Sequence, residues 1–107
     1  MRVELLWWDG CPSHPRALDE LRRVLREEGA DADVELVEVR SDAEARRLRF
    51  PGSPTIVIDG KDVLAPAAGE PFTLTCRVYR LRDGSVSPVP DTEDLRDAVR
   101  LALRSAA

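Results

Sequence analysis

The sequence predicts an α/β protein: a mixed β-sheet with helices on both faces, its elements ordered strand, helix, strand, helix, strand, strand, helix. Three observations predict it. Short apolar runs bounded by turn residues read as strands, and between them apolar side chains recur at three- and four-residue spacing, as on one face of a helix. The first strand–helix–strand unit also has the length of a parallel pair joined by a crossover. A chain of 107 residues has room for one hydrophobic core, so residues 1–107 are expected to form a single domain.

Val3 to Trp8, "VELLWW", is apolar and ends at Asp9-Gly10, which suits a central strand buried on both faces. From Pro15 the stripe Ala17, Leu18, Leu21, Val24 and Leu25 marks an amphipathic helix that Gly29 stops. Residues 33–40, "DVELVEVR", mix apolar and acidic side chains on each face, the pattern of a strand near a sheet edge. Ser41 followed by Glu44 forms a capping box and starts a short helix over 42–49. Thr55 to Ile58 is the third strand, and Asp59-Gly60 reverses the chain because both residues tolerate positive φ.

Residues 65–71, "APAAGEP", read as a loop. "FTLTCRVYRL", 72–81, reads as a further strand on its Thr, Val and Tyr content, and Asp83-Gly84 turns the chain again. Asp91 is the expected N-cap of a last helix with Leu95, Ala98, Val99 and Ala102 on one stripe. Internal repeats and low-complexity tracts do not occur in the sequence.

Composition excludes several function classes. Sixteen basic residues are interspersed with 20 acidic ones for a net charge of −4, so no basic stripe for nucleic acid is expected. Apolar runs fall far short of a membrane-spanning helix. The opening "MRVELLWWDG" carries Glu4 and Asp9 and runs into a turn, without the features of a secretory signal, which points to a cytoplasmic protein. Two cysteines, Cys11 and Cys76, are too few for a disulfide framework or a four-cysteine zinc site, and in a reducing cytoplasm they are expected as thiols rather than as a persistent bridge.

Cys11 falls between the first strand and the first helix. There it would sit beside free backbone N–H groups and the positive end of the helix dipole, which favour thiolate over thiol. Lowering a cysteine pKa from about 8.5 to about 6 raises the thiolate fraction at neutral pH from a few per cent to roughly nine-tenths. The thiolate attacks disulfides and binds soft metals. His14 lies one turn on. As imidazolium it would lower the thiol pKa further, and as imidazole it could take a proton or bind metal; otherwise it is a solvated first-turn residue.

Trp7 and Trp8 point to opposite sides of a strand, so one belongs to the core and Trp8 is the candidate wall over the thiol. Asp9 is a turn residue or a proton donor. On a strand over 72–81, Cys76 shares a face with Phe72, Leu74 and Val78, which makes it a core residue. Alternatively the strand end brings it to Cys11 as a resolving thiol or a second soft ligand. Pro54 opens the third strand, where its missing N–H removes no interior ladder bond; composition alone leaves its peptide bond trans.

"WWDGCPSHPRAL", the β-α-β-α-β-β-α order and "GSPTIVIDG" together resemble the thioredoxin fold over most of the chain. The resemblance implies that Cys11 is the first cysteine of the family's C-x-x-C motif and that Pro54 is the cis-proline facing it, with Ser53 alongside. His14 stands where the second motif cysteine would be. That departure makes the motif C-x-x-H and leaves the usual resolving thiol missing. The "DGCP" and "GSPT" segments are similar to small bacterial thioredoxin-like proteins, some labelled alkylmercury-lyase-like. Organomercurial lyases use two cysteines and an aspartate, for which Cys11, Cys76 and Asp9 are the possible counterparts.

Three functions follow. The first is thiol–disulfide oxidoreduction, in which Cys11 attacks a disulfide of a protein or small molecule, His14 assists, and Trp8, Ser53 and Pro54 shape the substrate groove. Glutathione or Cys76 would then resolve the mixed disulfide. The second is capture of mercury or an organomercurial by Cys11 and Cys76. The third is a binding module that keeps the fold without catalysis. Neither nucleic acid nor membrane is an expected partner.

Overall fold

A computed structural model of the chain describes residues 1–66 and 69–105. Val3–Trp7 forms the first strand, β1, and lies at the centre of a four-stranded sheet. His14–Glu27 (α1) carries the chain across to Val34–Glu38 (β2), which pairs parallel to β1 with Leu5 opposite Leu36. Asp42–Leu48 is α2. Thr55–Ile58 (β3) returns antiparallel on the other side of β1, and Lys61–Asp62 (β4) closes the sheet in the order β2-β1-β3-β4.

Local rules account for most of these elements. α1 ends where Gly29 takes φ 69°, with the Ala30 N–H reaching back to the Leu25 carbonyl. Asp59 and Gly60 take φ 51° and 82°, the pair of positive values a two-residue hairpin turn needs. At the start of α2, the Glu44 N–H donates to Ser41 Oγ at 3.1 Å. The Glu44 carboxylate accepts from the Arg40 N–H, one residue ahead of the cap. β2 lies at the sheet edge as its mixed pattern predicts, with Leu36 half exposed.

Alternation along β1 divides the interior. Val3 and Leu5 face α1 and the last helix, α3 (Thr92–Ser105), and meet Leu21, Val24, Leu95 and Val99. Leu6 faces the opposite way and joins Val39, Ala45 and the fully buried Phe50 under α2. Helices therefore cover both faces of the sheet. Asp91 caps α3 by accepting the Glu93 N–H at 2.8 Å. Arg96 and Arg100 clasp Glu28 across the α1–α3 contact. Among the described residues, no helix is long and apolar enough to cross a membrane.

The segment 72–81 differs from its expected form. Phe72 to Val78 is a strap outside the sheet that bends at Thr73-Leu74 and makes an isolated bridge from Cys76 to Ser53, just before β3. Only Tyr79–Arg80 (β5) is a strand, paired with Val86–Ser87 (β6) in a separate hairpin around Asp83-Gly84, and the fourth strand of the sheet is β4. The buried side is also reversed. Val78 is 70% exposed, whereas Arg77 is 6% exposed and Tyr79 is buried with it. Hydrophobicity alone favours the other face. Polar partners decide it: the Arg77 guanidinium donates to Asp62, Thr55 and the Leu64 carbonyl and lies over the Tyr79 ring, while the Tyr79 hydroxyl donates to the Pro54 carbonyl. Of the loop expected over 65–71, residues 67 and 68 lie outside the described residues.

Candidate functional site

β1 ends at Trp7, and the exposed Asp9-Gly10 turn leads to Cys11, whose N–H donates to the Trp8 carbonyl at 3.1 Å. A Cβ at position 10 would fall inside the Trp8 indole, so Trp8 folds over the turn before the cysteine and packs against the Phe50 cluster. Ser13 precedes α1 but makes no side-chain cap; its hydroxyl lies 3.6 Å from Cys11 Sγ instead. The first turn of α1 holds no acidic residue, so no carboxylate there neutralises the positive end of the helix.

Helix α1 begins at His14, leaving Cys11 three residues outside it. Cys11 and His14 therefore do not share a helical face. The His14 ring stacks on Trp7 instead, with centroids 4.2 Å apart, and its Nδ1 is buried without a hydrogen-bond partner. Asp9 occupies the turn, as its pairing with glycine predicts.

Ser53 organises the other side. The Ser53–Pro54 peptide bond is cis, as the family resemblance implies and composition alone does not. Ser53 is fully buried, and its hydroxyl accepts the Trp8 N–H at 3.0 Å. The Ser53 carbonyl lies 3.6 Å from Cys11 Sγ and accepts the Arg77 N–H at 2.9 Å, while its own N–H donates to the Thr75 carbonyl at 2.8 Å. These two backbone bonds flank Cys76 and bring it to Cys11.

Cys11 and Cys76 form a disulfide, with Cα atoms 5.5 Å apart and a sequence separation of 65. Such a Cα separation is ordinary for a bridge. This corrects the expectation that Cys76 is a core residue; the structure follows the alternative, in which Cys76 comes to Cys11. Cys76 is exposed, because Arg77 and Tyr79 take the inward positions of the strap, whereas Cys11 is 4% exposed. In the bridge neither sulfur carries a proton, so the Ser53 carbonyl becomes a hydrogen-bond acceptor for Cys11 only once it is a thiol.

The strap is held along its length. The Thr73 N–H donates to the Phe50 carbonyl, and the Thr73 hydroxyl and Leu74 N–H both donate to Asp42 on α2. Those two bonds hold the Asp42 carboxyl below its ordinary pKa, the Leu74 N–H contributing most. Further on, Arg77 is 2.8 Å from Asp62. Burial pushes the Asp62 carboxyl up, and Arg77 pulls it back only in part; burial also pushes the Tyr79 hydroxyl up. At Gly52 a Cβ would stand 2.9 Å from the Arg77 Cβ and 3.0 Å from its backbone nitrogen. Glycine there lets the strap lie flat against the start of β3. Sequence reading missed Asp42, Gly52, Asp62 and Arg77; the one available signal was the glycine of "GSPT", which marks a close backbone approach as readily as a turn.

In comparisons with known proteins, no family model matches the chain, and no curated protein or solved structure matches it. Among the described residues, no group of three or more His, Cys, Asp and Glu side chains is arranged to hold a metal ion.

Proposed function

We propose that the protein is a thioredoxin-like thiol–disulfide exchange protein whose redox couple is Cys11–Cys76. The observation that carries this reading is the exposed Cys76 bonded to Cys11 at the turn between β1 and α1. The sheet order β2-β1-β3-β4 and the Ser53 carbonyl 3.6 Å from the Cys11 sulfur support it. His14 is then no substitute for a second thiol, since Cys76 supplies one from the strap. Ser53 and Pro54 are fully buried and so position the couple from behind rather than line a substrate groove as expected, and Trp8 backs the turn.

The exchange balances as follows. The reduced protein gives two electrons and two protons to a substrate disulfide, which leaves as two thiols, and Cys11–Cys76 is left oxidised. In the reverse direction two thiols, from glutathione or a protein, become a disulfide and the pair is reduced. To test this, the protein is equilibrated in glutathione buffers of graded ratio and its thiols are counted by maleimide mass. We expect zero or two labels per molecule, with turnover of a small disulfide substrate lost in the Cys11→Ser/Cys76→Ser double variant. A bridge that survives the most reducing buffer would overturn the reading.

A second reading is favoured by the pairing itself: reduced, the two sulfurs form a two-thiolate site of the kind that suits Hg²⁺. It predicts that one equivalent of Hg²⁺ protects both thiols from maleimide and that either Cys→Ser change abolishes this.

A further inference from the structure

Resting on that redox couple, we infer that Cys76, not the motif cysteine Cys11, is the sulfur through which the protein exchanges with its partners. A thiolate opens a disulfide by attacking one sulfur while the other departs, and it must reach the attacked sulfur from the side away from the departing one. Cys76 belongs to the open side of the strap, where an incoming thiolate can reach it: Cys76 and Val78 are exposed, while Arg77 and Tyr79 between and beyond them are buried. At Cys11 the corresponding side is closed. The residue is 4% exposed, and the Ser13 hydroxyl and Ser53 carbonyl each stand 3.6 Å from its sulfur.

The same surroundings suit Cys11 as the departing sulfur. When an incoming thiolate bonds to Cys76, the electron pair of the broken S–S bond passes to Cys11. The Ser13 hydroxyl can donate to that thiolate, and after it takes a proton from solvent the thiol can donate to the Ser53 carbonyl. Backbone bonds from Ser53 to Thr75 and Arg77 hold the mixed disulfide within reach. A second thiol then attacks the partner's bonded sulfur or Cys76, or Cys11 returns and releases the partner. Cys11 thereby acts as the resolving residue, the reverse of what its motif position implies.

The oxidised wild-type protein is mixed with excess reduced glutathione, quenched in acid, alkylated with N-ethylmaleimide and digested for peptide mass mapping. We expect glutathione on the Cys76 peptide and maleimide on Cys11. Single-cysteine variants give the second measurement: with an aromatic disulfide, Cys11→Ser should react about tenfold faster or more than Cys76→Ser, since reactivity follows access as well as thiolate character. Glutathione found mainly on Cys11 would overturn this assignment and leave the redox couple standing. A bridge that yields no adduct on either cysteine would overturn both.

Discussion

Reducing the Cys11–Cys76 bridge, with all other atoms kept, should cost the protein a large part of its stability. The bond closes a loop of 65 residues, and loop-closure entropy assigns such a crosslink about 4 kcal/mol of folding free energy at 25 °C. Unfolding entropy of about 2 cal/mol/K per residue turns this into a fall in Tm of roughly 20 °C for 107 residues. The assay is urea unfolding followed by circular dichroism, with and without a phosphine reductant, backed by the Cys11→Ala/Cys76→Ser double variant. Because the effect acts through the unfolded chain, the m-value should rise on reduction as that chain expands. A loss below about 1 kcal/mol with an unchanged m-value would refute the loop-closure reasoning.

Three further outcomes follow from the strap and the helix clasp. Arg77→Met leaves the partly buried Asp62 without its partner and should cost about 2 kcal/mol at neutral pH. Since burial raises the Asp62 carboxyl, its ionised form is the disfavoured one, so the deficit should shrink as pH falls and the carboxyl protonates; a deficit independent of pH in urea melts would contradict this. Gly52→Ala meets the Arg77 backbone and sits at φ 149°, so it should lift the strap, cost about 2 kcal/mol and make the bridge easier to reduce, read from the glutathione midpoint. Glu28 is held below the ordinary carboxylate pKa by Arg100 and then Arg96, so the clasp contributes above the ordinary carboxylate range and is lost as pH falls through the lowered value; Glu28→Gln should flatten the acid limb of Tm against pH.

The sheet and helices were legible because period and turn chemistry agree in the first 60 residues: Leu5 and Leu6 on opposite faces of a central strand, the Ser41 cap, the Asp59-Gly60 reversal. The turn bearing Cys11 was legible for the same reason. Residues 72–78 were not. Their alternation placed Cys76 in the core, and only long-range polar pairing, Arg77 with Asp62 and Tyr79 with the Pro54 carbonyl, reverses the face. No local pattern encodes partners 15 and 25 residues away. The stacking of the His14 ring on Trp7 was not legible either, since it depends on how the turn from Asp9 to Ser13 sets the helix start against the end of β1.

The claim on which the account turns is that the strap, and not the S–S bond, holds Cys76 beside Cys11. Amide hydrogen exchange of the reduced protein tests it at two positions, the Ser53 N–H bonded to Thr75 and the Arg77 N–H bonded to Ser53. Both should remain protected after reduction, slowed well below the neighbouring exposed amides of the strap. Exchange of both at the rate of an unstructured peptide would mean that the bond alone pins the strap, and the couple could not cycle within an intact fold.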